Sequence, residues 1–84
     1  MKYDVEFKPK AVRDIEGFSP RIQGRILAGI EEMSEDLKGD VDVKRLTDFT
    51  PEYRLRVGDY RVLFEIEGET IIIYRIRHRR EAYR

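Results

Sequence analysis

Residues 53–84 read YRLRVGDYRVLFEIEGETIIIYRIRHRREAYR, and this run decides the fold. Apolar and charged residues alternate along it with the period of a half-buried strand. The alternation breaks at Gly58-Asp59 and again at Glu67-Gly68-Glu69, which predicts three strands in meander order: Tyr53–Val57, Tyr60–Ile66 and Thr70–Arg77. Gly58-Asp59 has the composition of a two-residue hairpin turn. Such a turn sets Val57 opposite Tyr60, Leu55 opposite Val62 and Tyr53 opposite Phe64 on an apolar face. Arg56 then lies opposite Arg61, and Arg54 opposite Leu63, on the other face.

The second connection decides where the last strand points. Read as three residues, Glu67-Gly68-Glu69 pairs Phe64 with Ile72, Val62 with Tyr74 and Arg61 with Arg75. A two-residue connection would turn Arg75 and Arg77 under whatever covers the apolar face, because a one-residue slip exchanges the faces. Unpaired buried charge is costly, so an odd-length connection or an equivalent bulge is expected. Parity then adds Ile72, Tyr74 and Ile76 to the apolar face. It gathers Arg54, Arg56, Arg61, Arg75, Arg77 and Arg79 on the other, with Leu63, Ile71 and Ile73 as an apolar shoulder.

Like charges side by side on a sheet are destabilising. An anion offsets that repulsion, and the guanidinium fork matches phosphate geometry. Edge arginines can also simply blunt a sheet and pair with local acids, for which Glu52, Asp59 and Glu65 are at hand. Six arginines of one parity favour anion binding, and a phosphate backbone is the anion expected.

Upstream, Lys2–Phe7 alternates Tyr3, Val5 and Phe7 with polar residues and predicts a first strand. Pro9 opens a short helix with Ala11, Val12 and Ile15 inward, ended by Gly17. Ser19 and Pro20 form an N-cap and first position for a second helix, with Ile22, Ile26, Ile30, Met33 and Leu37 as its inward stripe and Gly39 closing it. Gly24 and Gly29 weaken that helix but permit close approach to a neighbour. The acidic run Glu31, Glu32, Glu35 and Asp36 reads as its solvated face. Val41–Leu46 fits a short edge strand, and Thr47–Glu52 a loop. The fold class expected is α+β, one domain over residues 1–84, with two N-terminal helices on a small, mostly antiparallel twisted sheet in the order β-α-α-β-β-β.

The chain has 84 residues with 17 Lys+Arg against 17 Asp+Glu, so its net charge is zero. Neutrality argues against a general polyanion binder, yet the distribution is uneven: residues 75–84 hold Arg75, Arg77, Arg79, Arg80 and Arg84 against Glu81. With no cysteine and a single histidine, His78, disulfides and thiolate zinc are excluded and no cofactor is expected. No apolar run has membrane-spanning length and no signal peptide opens the chain, so a cytoplasmic protein without membrane association is expected.

The segments YRLRVGDYRV at 53–62 and HRREAY at 78–83, in that order of elements, resemble the RelE/ParE toxin superfamily over essentially the whole chain. The resemblance implies a toxin of a type II toxin–antitoxin pair with a cognate antitoxin protein as partner. It implies a RelE-like, ribosome-dependent endoribonuclease that cleaves mRNA in the A site by attack of the ribose 2′-hydroxyl on the adjacent phosphate. ParE-like members share the fold, inhibit DNA gyrase and are not nucleases. An inactive toxin acting as antitoxin-bound co-repressor, touching DNA only through that complex, is the remaining alternative. Carried over by position, the resemblance makes Arg61, Arg79 and Tyr83 catalytic. Arg54 and Arg56 fall where RelE has two sheet lysines and become substrate-binding, with Arg77 and His78 beside them. By parity, His78 faces away from the arginines. The lysine-to-arginine departure matters because arginine does not release its proton in proteins.

Overall fold

The computed structural model describes residues 2–37, 39, 41–48 and 50–80. The elements run β1 (Asp4–Phe7), α1 (Pro9–Glu16), α2 (Pro20–Glu35), β2 (Val43–Arg45), β3 (Tyr53–Val57), β4 (Tyr60–Glu67) and β5 (Thr70–His78). They form one sheet of order β1-β5-β4-β3-β2, in which β1 pairs with β5 in parallel and the other pairs are antiparallel. The helices cover one face. The core there is Leu55, Val62, Phe64, Ile71, Ile73 and Ile76 from the sheet, against Ala11, Ile26, Ile30 and Met33 from the helices.

The helix starts follow local chemistry. Ser19 caps α2, its hydroxyl accepting from the Ile22 amide at 3.4 Å, and proline opens both helices. The α2 stripe is inward as expected, with Ile22 and Leu37 at its less buried ends. In α1, Ala11 and Ile15 meet the core, whereas Val12 is 39% exposed and does not join the inward set expected of it. The second helix also stops at Glu35, with Asp36 as its cap, one turn before Gly39. No basic residue occupies its last turn, and Glu31, Glu32 and Glu35 crowd the negative end of the helix dipole. Gly39 instead closes a turn by donating its amide to the Asp36 carbonyl at 3.0 Å.

The two glycines of α2 differ. A Cβ at Gly29 would stand 2.8 Å from Val57 Cγ2, so this glycine lets α2 lie down on β3; a Cβ at Gly24 meets nothing within 4 Å. Gly24→Ala should therefore stabilise the fold by about 1 kcal/mol through helix propensity alone. Gly29→Ala should destabilise it by about 1–3 kcal/mol, because overlap with the half-buried Val57 side chain outweighs the same propensity gain. Opposite shifts in the urea midpoint of the two variants check this pair.

The β3–β4 register is the one expected: Val57↔Tyr60, Arg56↔Arg61, Leu55↔Val62, Arg54↔Leu63 and Tyr53↔Phe64. Gly58 has φ +58° at the first central position, where a II′ turn wants glycine. The β4–β5 hairpin differs from the three-residue reading. Glu67 pairs with Thr70 across Gly68-Glu69, and Gly68 has φ +60°, so both hairpins use the same kind of tight turn. Ile66 then faces Ile71, Glu65 faces Ile72 and Phe64 faces Ile73. The register shifts between Leu63 and Phe64, after which Leu63 faces Arg75, Val62 faces Ile76 and Arg61 faces Arg77. Tyr74 is the extra residue of this bulge.

The bulge corrects several face assignments. Ile71 and Ile73 lie in the core, not beside Leu63, and Ile72 is on the arginine face. Arg77, not Arg75, stands opposite Arg61. The physical reason is that Ile71, Ile73, Arg75 and Arg77 share one parity along β5, yet the isoleucines must face the helices and the arginines must face away from them. A tight turn satisfies the first, and one extra residue restores the second.

Candidate nucleic-acid interface

Strand pairing builds the uncovered face in rows. Arg56, Arg61 and Arg77 form one row across β3, β4 and β5. The next row runs Lys44, Arg54, Leu63 and Arg75. Beyond the bulge the face turns acidic, with Glu65 and Glu6 flanking Ile72 and Glu67 and Asp4 flanking Thr70. The positive half is therefore confined to the Gly58 end of the sheet, which gives the face a charge gradient along its strands.

Arg61 is held at the centre of its row. It is 9% exposed, and its Nη1 donates to the carbonyls of Gly58 at 3.3 Å and Tyr60 at 3.2 Å. The Gly58 carbonyl also accepts from Arg56 Nε at 3.4 Å. One turn carbonyl thus stands between two like charges and offsets part of their repulsion. The described carboxylate contacts of this arginine set lie at its margins. Asp42 accepts from Arg54 at 3.0 Å, Asp59 approaches Arg79 at 3.9 Å, and Asp14 binds Arg75. Of the acids at hand in sequence, Glu52 binds Arg45 at 2.6 Å, while Glu65 accepts the Glu52 amide at 3.1 Å. Neither carboxylate is committed to the central row by these bonds.

Arg54 has a mostly buried side chain, 12% exposed, tied by Nη1 to the Asp42 carbonyl and carboxylate at 3.0 Å each. Its Nε is buried and makes no hydrogen bond. Arg79 follows β5 and is exposed; its amide donates to the Asp59 carbonyl at 2.7 Å, which places it beside the Gly58-Asp59 turn and so beside the arginine row. Arg54, Arg56, Arg61, Arg77 and Arg79 therefore gather at one end of the sheet. His78 does not join them. It pairs with Tyr60 on the helix side, its ring edge-on to the Tyr60 ring at 5.4 Å, and Phe18 meets the same tyrosine at 5.0 Å. Tyr83 lies outside the described residues.

Two residues were missed in sequence. Lys44 extends the second row, a placement that the parity of the short edge strand carried once its pairing with Arg54 was drawn. Asp14, on α1, accepts from Arg75 Nε at 2.8 Å and Nη2 at 3.2 Å and from the Ile76 amide at 2.9 Å. It closes the sheet edge where β5 runs on past β1 and fixes Arg75 as a tie to the helix layer. Nothing local signals this contact, since Asp14 and Arg75 are 61 positions apart.

A family model described as the ParE toxin of the type II toxin–antitoxin system parDE matches residues 5–83. The chain belongs to this toxin family. Among curated relatives of the family member, Toxin RelE3 of Methanocaldococcus jannaschii is 37% identical over 84 residues, covering 94% of this chain and 93% of that protein. Among solved structures, the RelB–RelE antitoxin–toxin complex from Methanococcus jannaschii holds a chain 35% identical, with TM-score 0.76 and coverage of 93% and 94%. The toxin–antitoxin complex RelBE2 from Mycobacterium tuberculosis holds one 27% identical, with TM-score 0.79 and coverage of 93% and 99%. The helix pair on an open five-stranded sheet is thus the fold of RelE-like toxins, and the resemblance seen in residues 53–62 and 78–83 extends over the whole family match.

Proposed function

We propose that this toxin-family chain is an endoribonuclease that cleaves mRNA on the ribosome and is held inactive by a cognate antitoxin. The single observation that carries the reading is the row Arg56–Arg61–Arg77, three arginines set abreast on the uncovered sheet face. Similarity to toxins named RelE, solved in complex with RelB, supports both the activity and the partner.

In this reading Arg54, Arg56 and Arg77 grip the RNA backbone, where a guanidinium fork takes two phosphate oxygens at once. Cleavage forms a bond from the 2′-oxygen to the adjacent phosphorus while the bond to the 5′-oxygen breaks. A base takes the 2′-hydroxyl proton, and an acid supplies one to the leaving oxygen. The products are a 2′,3′-cyclic phosphate and a 5′-hydroxyl. Arg61 and Arg79 stabilise the added charge on the pentavalent phosphorus, the electrostatic part of catalysis. Arginine cannot move the protons. That role falls to Tyr83 or to groups of the ribosome, because His78 is engaged with Tyr60 on the opposite face. The cytoplasm is the compartment where such a substrate is met.

The decisive experiment is induction of the chain in a bacterial host with mRNA 5′ ends mapped across the transcriptome. The expected result is growth arrest with new ends inside codons, relieved by co-expression of a cognate antitoxin. The outcome that would overturn it is inhibition of DNA gyrase without nuclease activity. Arrest with intact mRNA and gyrase-linked DNA breaks would replace the nuclease reading with that one.

A further inference from the structure

Beside the arginine face, a cleft of about 560 Å³ opens between α1 and β5, lined by Lys8, Lys10, Arg13, Pro51, Tyr74 and Arg75. We infer that this cleft is a nucleotide subsite in which the Tyr74 ring stacks one unpaired RNA base while Lys8, Lys10 and Arg13 hold the adjoining phosphate. The inference rests on the mRNA reading above and adds to it a second contact point outside the arginine row.

Five observations carry it. The volume falls within the roughly 300–1,000 Å³ typical of small-molecule sites. Among the described residues the lining combines cations with flat apolar groups and contains no acid; Asp14, which follows Arg13 in the chain, is bound to Arg75 and the Ile76 amide. This is the composition of a single-strand site, a basic groove with an aromatic platform. A surface built for solubility would mix both signs.

Tyr74 is also the bulged residue of β5, and bulges re-aim a side chain out of the strand's alternation. Lys8 Nζ stands 5.5 Å from the centre of its ring. That cation–π contact of an exposed lysine is weaker than a stacked base, so a base can take the ring and release the ammonium to the phosphate. Arg75 lines the cleft and shares its face with Arg77, two residues along the strand. Two residues span roughly 6.6 Å, a step one nucleotide covers, so RNA on the arginine row reaches the cleft without distortion.

The test uses ribosomes with an empty A site, programmed with mRNA that carries 4-thiouridine at one position at a time across the A-site codon and the nucleotides flanking it. A 2′-O-methyl codon blocks cleavage during photocrosslinking, and crosslinked peptides are mapped by mass spectrometry. One position should crosslink to residues 8–13 or to Tyr74. In single-turnover cleavage of unmodified mRNA, Tyr74→Ala should raise the toxin concentration for half-maximal rate by about 10-fold, the loss of one stacked base. Its maximal rate should hold. Tyr74→Phe should restore the wild-type value, and the exposed double variant Lys10→Ala/Arg13→Ala should weaken binding without touching the fold. If wild type cleaves but every crosslink falls outside the cleft, or Tyr74→Ala cleaves like wild type, the subsite is overturned and the nuclease reading stands. If wild type does not cleave programmed mRNA, both fall.

Discussion

Replacing Arg61 with alanine is expected to lower mRNA cleavage on programmed ribosomes by about 100- to 1,000-fold, the range seen when one pre-aimed charge-stabilising donor is lost. The expectation comes from position and rigidity. Arg61 is the middle residue of the only row that sets three arginines directly abreast among the described strand pairs, flanked by Arg56 and Arg77. Its guanidinium is held by the Gly58 and Tyr60 carbonyls, so little reorganisation remains at the moment of reaction. Arg61→Lys should recover only part of the rate, because a point charge replaces the planar fork. The fold should survive Arg61→Ala, since removing the central charge also relieves repulsion from both neighbours. Thermal melting and antitoxin binding of the purified variant verify that point. Wild-type cleavage rates in Arg61→Ala would show that the row does not face the scissile phosphate.

The largest loss of stability is expected at Phe64. Its side chain is fully buried, stacks on Tyr53 with ring centres 5.6 Å apart, and faces Ile73 across β5 directly beside the bulge. Phe64→Ala should cost about 3–5 kcal/mol, lost transfer energy plus an unfilled cavity. In a domain of this size that lowers Tm by at least about 12 °C. Phe64→Leu, which keeps most of the volume, should cost less than half as much. Scanning calorimetry of the two variants checks the order. The location sharpens the consequence: Phe64 is the last residue before the register shift, so loosening it frees the bulge that sends Arg75 and Arg77 to the outer face.

The bulge is also where sequence reasoning reached its limit. The need for an odd offset in β5 was legible, because Arg75 and Arg77 could not be buried while Ile76 stayed in the core. Where the extra residue would sit was not. Gly68-Glu69 carries the same glycine-first pattern as Gly58-Asp59, a signal for a two-residue turn that the three-residue reading passed over. Given that turn, a single extra residue inside the strand restores parity, and packing of Ile71 and Ile73 against the helices selects Tyr74 for it.

By itself, the sequence determined the order of elements, the Ser19-Pro20 helix start, the Gly58-Asp59 turn and the register that sets Arg56 against Arg61. These depend on residues close in the chain, where propensity, capping and turn geometry act without help. The tertiary structure alone decided the parallel pairing of β1 with β5, the Asp14 tie to Arg75 and the Ile76 amide, and the seating of His78 against Tyr60. It also decided the cleft between Lys8, Arg13 and Tyr74. Each joins groups far apart in sequence, and such contacts form only when the packed core has fixed which faces and edges meet.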